Sequence, residues 1–316
     1  MGKSIIKKSN IHIGSNGMEN HRAEKRLEVL KTYKIYIGGQ FPRTESGRYY
    51  IATNAAGKKL ANVCLSSRKD FRDAVVAARS AFGGWSARAA FNRGQILYRI
   101  AEMMEGRKAQ FIEEICSLGA SVEAATQEVQ IAIDRCVYYA GWADKYQALS
   151  SSVNPVASSH FNFSVPEPMG VVGLVACQQT ALSGLVSQLL PIIVGGNTAI
   201  LIANSTKPLC AITLGEVLAT SDVPGGVVNI LTGDVAEMLP SLAGHMDVNA
   251  LCLAKIPTEL MVSAQESAID NLKRCIIQTQ TFSEASAQGM QYITDFQEIK
   301  TTWHPIEQVA GGMGGY

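Results

Sequence analysis

Cysteine and histidine are the residue types in this chain best suited to act as nucleophiles, bases or metal ligands, and both are scattered along it. The chain has seven cysteines: Cys64, Cys116, Cys136, Cys177, Cys210, Cys252 and Cys275. Their odd number and the lack of any CxxC spacing argue against a disulfide framework and against a zinc site. The five histidines show neither metal-ligand spacing nor the signature of a catalytic triad. No G-x-G-x-x-G motif follows a predicted strand, so no phosphate loop is indicated.

The composition is that of an ordinary globular protein of 316 residues, with net charge +1 and 47% hydrophobic residues. Near-neutral charge gives no electrostatic footprint for nucleic acid. Apolar runs are interrupted within about 12 residues, too short to span a bilayer. The basic N-terminus lacks the apolar stretch of a signal peptide. We therefore expect a cytoplasmic protein that binds neither nucleic acid nor membrane.

Apolar strands and helical patterns alternate regularly from residue 171 onward. Strands are predicted at 171–176, 198–203, 227–231, 248–253 and 274–278, and helices at 182–193, 209–219, 235–243 and 258–272. Continuous apolar strands joined by short turns indicate a parallel sheet covered on both faces. Right-handed crossovers then give an α/β, doubly wound, Rossmann-like layer.

The segments on either side of this layer complete the predicted organisation. KIYIG at residues 34–38 predicts a strand, and a strand pair is expected near 49–52 and 59–64. Ser67 and Asp70 resemble a capping box that starts a helix ending at Gly83–Gly84. We assign residues 1–33 to a flexible tail, 34–278 to one NAD-binding-like domain, 279–290 to a linker, 291–306 to a final strand, and 307–316 to a second tail.

The ordered motifs of the chain resemble those of the aldehyde dehydrogenase superfamily. They are SAFGGWS (80–86), YYAGWADK (138–145), EPMGVVG (167–173), GGNTAIL (195–201) and VPGGVVNILTGD (223–234). A second set resembles the degenerate second module of two-module aldehyde dehydrogenases and its stand-alone bacterial versions: FNFSVPEP (161–168), HMDVNA (245–250), DNLKR (270–274) and KTTWHP (300–305). The resemblance implies a parallel sheet of the aldehyde dehydrogenase type.

The resemblance also implies where the cofactor and catalytic groups would lie, and the residue types there have changed. Gln179 replaces the oxyanion Asn, Ile202 and Ser205 replace the ribose-binding Lys and Glu, Lys255–Ile256–Pro257 replaces the Gly-Ser-Thr phosphate turn, and Gln278 replaces the general-base Glu. An apolar side chain gives the ribose no partner, and a proline removes a backbone donor. An amide accepts no proton at neutral pH.

The family's nucleophilic cysteine belongs to a catalytic domain that follows position 278, and no cysteine follows that position here. We therefore expect no catalytic domain, no catalytic residue, no metal and no cofactor, with binding of NAD or NADP as the disfavoured alternative. Cys177 lies in the same turn as Gln179. It is expected to be structural, because the sequence places no histidine or acid to activate it.

In the family, the segment before the dinucleotide fold and the last strand form a flap that pairs with the partner subunit. Residues 144–168 and 291–305 correspond to it here. Phe161, Phe163, Ile299 and Trp303 are expected interface residues, against the alternative that they pack on the chain's own core. The favoured hypothesis is a non-catalytic subunit that docks on a full-length aldehyde dehydrogenase or on itself. The alternatives are an NAD(P)-binding module, or an oxidoreductase whose active site is shared with a partner.

Overall fold

The computed structural model describes residues 29–306, so most of the first expected tail (1–28) and all of the second (307–316) lie outside it. The first three strands, β1 (Thr32–Tyr33), β2 (Tyr49–Thr53) and β3 (Lys59–Cys64), form a small sheet in the order β1-β3-β2. Strand β1 pairs in parallel with β3, so the fold begins before the expected tail boundary at residue 33.

The KIYIG segment does not form the strand that its alternation predicts. Tyr36 makes only an isolated bridge to Ile230. The backbone turns directly afterwards at Gly38 and Gly39, whose φ angles are 60° and 82°, a conformation that glycine adopts without steric cost. Ile35 and Tyr36 are fully buried. The segment therefore contributes to the hydrophobic core, although it is too short to form a strand.

Five helices and two strands follow: α1 (Arg68–Ser86), α2 (Ala90–Gly106), α3 (Lys108–Ser117), α4 (Val122–Trp142), α5 (Tyr146–Ser150), β4 (Ser152–Asn154) and β5 (His160–Pro168). The capping box of Ser67 and Asp70 is present at the start of α1. The helix continues past its expected end at Gly83–Gly84. Buried Trp85 anchors this extension, because its Nε1 donates to the carbonyl of Ile193 at 2.8 Å.

The parallel layer is confirmed close to its predicted bounds. Its elements are β6 (Val171–Val175), α6 (Ser183–Val194), β7 (Thr198–Ile202), α7 (Leu209–Ala219), β8 (Val228–Leu231), α8 (Val235–Gly244), β9 (Ala250–Ala254), α9 (Thr258–Ile269) and β10 (Arg274–Gln278). All five strands run parallel in the order β10-β9-β6-β7-β8. One core packs α2, α3, α4, α6 and α7 on the sheet, and a second packs α1, α8 and α9.

A short connector (residues 279–290) leads from β10 to α10 (Gln291–Thr294) and β11 (Gln297–Pro305). The final strand therefore begins at Gln297 and not at residue 291. Ile293 and Phe296 are three residues apart, and both are fully buried. A helical turn places two such positions on the same side of the chain, whereas a strand would place them on opposite sides.

Strand β11 pairs antiparallel with the whole of β5, and β4 pairs with the middle of β5. We call this sheet, in the order β11-β5-β4, the flap. Its base is fixed to the parallel layer, since Arg274 of β10 donates to the carbonyls of Asp295 and Gln297 at 3.0 and 2.7 Å. Strands from the two expected flap segments, 144–168 and 291–305, thus meet in one sheet, although each segment begins with a short helix. Within residues 29–306 no helix is long and apolar enough to cross a membrane.

Candidate functional site

The strand order reverses between β6 and β9, because the chain moves from β6 outward to β7 and β8 and then returns to the other side of β6. In open α/β sheets the ligand binds beyond the carboxyl ends of the strands at such a point. We call this place the switch-point crevice. It is lined by Cys177, Gln178 and Gln179 after β6, Ala254 and Lys255 at the end of β9, Gln278, Thr279 and Gln280 at the end of β10, and Phe282 of the connector.

Three of the five altered positions meet at this crevice, and two do not. Gln179, Lys255 and Gln278 line it. Ile202 is fully buried at the carboxyl end of β7, between Val175 and Leu231 of the neighbouring strands. Ser205 lies in a separate groove on the far side of β6. The ribose-binding pair of the family therefore has no polar counterpart facing the crevice.

The crevice is almost completely filled. Its remaining volume is about 10 Å³, which is room for about one water molecule. Phe282, only 3% exposed, packs there against Cys177, Ala254 and Ala287. The chain's own connector thus fills the space beyond the carboxyl ends of β6 and β9.

The N-terminus of α6, which opens onto the crevice, already binds an anionic group. The amides of Ala181, Leu182 and Ser183 donate to Oε1 of Glu128 at 2.8, 2.7 and 3.2 Å. Free amides at a helix N-terminus commonly bind phosphate. Here the carboxylate that Glu128 contributes from α4 takes the role of that anion.

The groups at the crevice are poorly suited to acid–base or nucleophilic chemistry. Gln278 is 3% exposed, and its Oε1 has no hydrogen-bond partner among the described residues. Cys177 Sγ accepts one weak hydrogen bond, from the amide of Gln179 at 3.4 Å. Away from the crevice, in the core, burial raises the pKa of the thiols of Cys136, Cys210 and Cys252 above the ordinary value, which disfavours the reactive thiolate there.

A metal centre is equally unsupported in the part of the chain that the structure describes. No group of three histidine, cysteine, aspartate or glutamate side chains is arranged there to hold a metal ion.

The four expected interface residues lie on two opposite faces of the flap. Phe161 lies opposite His304 and Phe163 opposite Thr302, whereas Trp303 lies opposite Asn162 and Ile299 opposite Pro166. Directly opposed residues share a face of an antiparallel sheet. Phe161 and Phe163 therefore point to one side, and Ile299 and Trp303 to the other.

Three of these side chains are clearly at the surface: Phe161 is 47% exposed, Ile299 61% and Trp303 57%. Packing on the chain's own core does not account for them. Beside Phe161 and Phe163 runs a groove of about 430 Å³, lined also by Val153 and Val165. The flap thus offers an apolar groove on one face and an apolar pair on the other.

Sequence reasoning missed the groups that close the crevice, namely Glu128, Arg135 and Phe282. Phe282 is the single aromatic residue in an otherwise polar connector, which marks it in retrospect. Glu128 and Arg135 lie seven residues apart and therefore on one face of α4. Their partners belong to distant segments, so the sequence pattern alone gives no signal for the contacts.

Comparison with protein families matches residues 42–279 to the aldehyde dehydrogenase family. Cytosolic 10-formyltetrahydrofolate dehydrogenase of Xenopus tropicalis is 32% identical over 231 residues, which cover 71% of this chain and 26% of the relative. Retinal dehydrogenase 2 of Gallus gallus is 31% identical over 259 residues, covering 80% of this chain and 49% of the relative. The chain thus spans half the length of these relatives or less.

Solved structures show the same likeness. HpcC from Thermus thermophilus is 27% identical, with a TM-score of 0.74, over 78% of this chain and 48% of that one. PnpE in complex with nicotinamide adenine dinucleotide is 26% identical, with a TM-score of 0.74, over 77% of this chain and 50% of that one. In both, the shared fold is about half of the larger protein.

Proposed function

The chain belongs to the aldehyde dehydrogenase family, and from this premise we propose that it is a non-catalytic subunit that docks through its flap. The docking partner is a full-length aldehyde dehydrogenase or a second copy of this chain. One observation carries the proposal: the flap is assembled within the chain, with β5 and β11 paired over nine residues. Only residues 279–296 separate β10 from β11, at the point where the resemblance places a catalytic domain.

The outer edge of β11 supports a docking role. No strand within residues 29–306 pairs with this edge, so a row of backbone donors and acceptors is open to another chain. Edge strands of this kind readily take up an added strand, with side-chain pockets supplying specificity. The exposed pair Ile299 and Trp303 projects from this same strand. A partner strand at β11 would both extend the sheet and cover these side chains.

The crevice supports the non-catalytic half of the proposal. Gln278 supplies an amide at the position where the resemblance implies a general base, and an amide takes up no proton. Oxyanion stabilisation needs a donor placed within a fraction of an ångström, and Gln179 has an exposed side chain that is one methylene longer than that of asparagine. With Phe282 in the crevice, the volume left beside these two residues is about 10 Å³.

A second candidate, an NAD(P)-binding module or an oxidoreductase with a shared site, is favoured by the likeness to a structure in complex with nicotinamide adenine dinucleotide. It is opposed by buried Ile202 and by the volume of about 10 Å³. Calorimetric titration with NAD and with NADP at roughly millimolar concentration distinguishes the two. Measurable heat favours the module, and none favours the subunit.

The cellular setting belongs to the same proposal. Cytoplasmic location is supported by the similarity to a cytosolic relative.

Native mass spectrometry of the tagged protein, purified from its own host, tests the assembly. We expect a stoichiometric complex with a full-length aldehyde dehydrogenase, or a homo-oligomer. The paired variant Ile299→Ser with Trp303→Ser should weaken that complex by at least about tenfold, because truncating a buried aromatic anchor typically costs over 1 kcal/mol. The pair Phe161→Ser with Phe163→Ser reports on the other face.

The matched control is Val76→Ser with Phe91→Ser, two exposed apolar residues outside the flap that are 64% and 66% exposed. This control should assemble like the wild type. A wild-type protein that remains monomeric at every concentration, or assembly left unchanged by both flap variants, overturns the proposal.

A further inference from the structure

The connector contributes one buried aromatic side chain to the interior, that of Phe282. Its ring packs against Cys177, just after β6, and against Ala254, at the end of β9. The ring also rests on the first turn of α6, since a Cβ built at Gly184 would lie 3.1 Å from Phe282 Cδ2. Phe282 therefore touches both strands that border the switch point and the helix between them.

Arg135 of α4 holds the connector in this place. Its guanidinium is buried, and Nη2 donates to the carbonyls of Phe282, at 3.4 Å, and Glu284. Its Nε donates to Ser187 Oγ of α6 at 3.3 Å. Burial lowers the pKa of Arg135 from the ordinary arginine value. Within the described residues no carboxylate is paired with this guanidinium.

A buried charge needs hydrogen-bond partners, and removing them is costly. Because two of the partners of Arg135 are connector carbonyls, lifting the connector would leave the guanidinium largely unsatisfied. The same movement would expose Phe282. Both effects keep the connector closed over the carboxyl ends of β6 and β9.

We propose that the connector is a built-in plug of the switch-point crevice, with Phe282 as an internal ligand in the space of the dinucleotide and Arg135 as its clamp. The crevice has thereby become part of the core, and Cys177 beneath the ring is shielded from solvent at 5% exposure. The inference goes beyond docking, because it concerns the crevice and not the flap. Either one can fail without the other.

Site-resolved thiol labelling tests the plug in the full chain. Native protein is treated with a thiol reagent, and labelling of Cys177 is followed by peptide mass spectrometry. We expect Phe282→Ala to raise the Cys177 labelling rate by at least about tenfold, because the ring that covers the thiol is gone and reactivity follows access. Arg135→Ala should raise it as well, by freeing the connector.

Two internal references separate local opening from general loosening. Phe91→Ala removes an exposed aromatic ring of α2 and should leave Cys177 as slow as in the wild type. Cys275, partly exposed on β10, should label at the same rate in all variants. If Phe282→Ala speeds both cysteines, Phe282→Leu, which keeps most of the apolar volume, decides the matter: Cys177 should stay slow in that variant.

Rescue by a small ring gives a readout that instability alone would not produce. Apolar cavities left by large-to-small substitutions can bind benzene. Benzene should therefore return Cys177 labelling in Phe282→Ala toward the wild-type rate and leave the wild type unaffected. Equal Cys177 rates in wild type and Phe282→Ala, or acceleration in Phe282→Ala that neither benzene nor Phe282→Leu reverses, overturn the plug.

Discussion

Leu272 is a residue whose backbone conformation conflicts with its side chain. Its φ angle is 47°, in the left-handed region, and its side chain is 92% exposed. It follows the end of α9, where the amide of Lys273 donates to the carbonyl of Ala268 at 3.0 Å. This is the helix-ending arrangement in which glycine usually holds the left-handed position. Leucine there bears a steric cost without burying apolar surface in return.

We expect Leu272→Gly to raise the free energy of unfolding by roughly 0.5–1 kcal/mol. Relief of a left-handed conformation contributes about 1–2 kcal/mol, and the greater entropy of glycine in the unfolded chain offsets part of it. Urea denaturation measures the difference. Ile269→Gly, at the exposed last position of α9, is the matched control and should lower stability. A loss of stability in Leu272→Gly would contradict this reading of the helix end.

At single positions, the residue type predicted what chemistry the side chain can perform better than it predicted where the side chain lies in the structure. The change to glutamine at position 278 is visible in the sequence, and its consequence for proton transfer follows from the amide alone. The sequence does not indicate that the Oε1 of this residue is buried without a partner, because its burial depends on the connector folding back. The position of Phe282 likewise depends on Arg135, a contact across 147 residues of chain.

Among the elements, those whose pattern alone decides their structure were predicted well. The strands of the parallel layer are buried throughout β6 to β9, and such apolar runs between short turns leave little alternative. The short segments were predicted less well. The helix α10 was expected as strand, and β1 lies in what was expected to be tail, because in pieces of two to four residues tertiary packing outweighs local preference.

Glu128 caps the N-terminus of α6, since one of its carboxylate oxygens accepts hydrogen bonds there in the place of a bound anion. This helix is buried at every position and has no side-chain cap of its own. The amides that it would leave open belong to Ala181, Leu182 and Ser183, all buried. An unpaired buried donor costs far more than the same donor in water. The cap therefore stabilises the helix that forms one wall of the crevice.

We expect Glu128→Ala to lower the free energy of unfolding by about 2–3 kcal/mol, since charge-assisted hydrogen bonds to buried amides are lost. Glu128→Gln should cost less, about 1 kcal/mol, because its amide oxygen still accepts while the favourable charge at the helix N-terminus is gone. Chemical denaturation compares them with Gln127→Ala, the exposed neighbour on α4, which should stay within about 0.5 kcal/mol of wild type. Equal stability of Glu128→Ala and Gln127→Ala would refute the cap.

For the molecule as a whole, the crevice and the flap differ in how open they are: the crevice is filled, and the flap is exposed. The crevice is closed by groups from two separate segments, Glu128 and Arg135 of α4 and Phe282 of the connector, which together make it part of the core. The flap has kept an open edge and exposed apolar side chains. A catalytic protein would need the first surface open, whereas an assembling protein needs only the second. This contrast is the physical basis for the proposed subunit role.

Glu114 joins three parts of the molecule that are distant in sequence. From α3, its Oε1 accepts from Tyr33 of β1 at 2.9 Å and from Thr213 of α7 at 2.6 Å. Its Oε2 is buried without a partner among the described residues. Burial raises the pKa of Glu114 above the ordinary glutamate value, although the hydrogen bonds from Thr213 and Tyr33 act in the opposite direction. The carboxyl group is therefore more easily protonated in the folded protein than in the unfolded chain.

This difference makes global stability depend on pH. Below the ordinary glutamate pKa of about 4.3, both states are protonated and Glu114 adds no pH dependence. As pH rises above that value, the unfolded chain ionises first, so the unfolded state binds fewer protons and stability falls until the raised folded pKa is passed. Glu114→Gln cannot ionise, and it retains an oxygen that accepts from Tyr33 and Thr213.

The stability of Glu114→Gln relative to wild type should therefore increase as pH rises from about 4 toward neutrality. Urea denaturation at a series of pH values measures this difference in stability. The control is Glu113→Gln, because Glu113 is the adjacent glutamate on α3 and is exposed. The control should show a pH profile parallel to that of the wild type. A wild-type advantage over Glu114→Gln that grows with pH would mean that the ionised carboxylate is the favoured form, and that hydrogen bonding outweighs burial where β1, α3 and α7 meet.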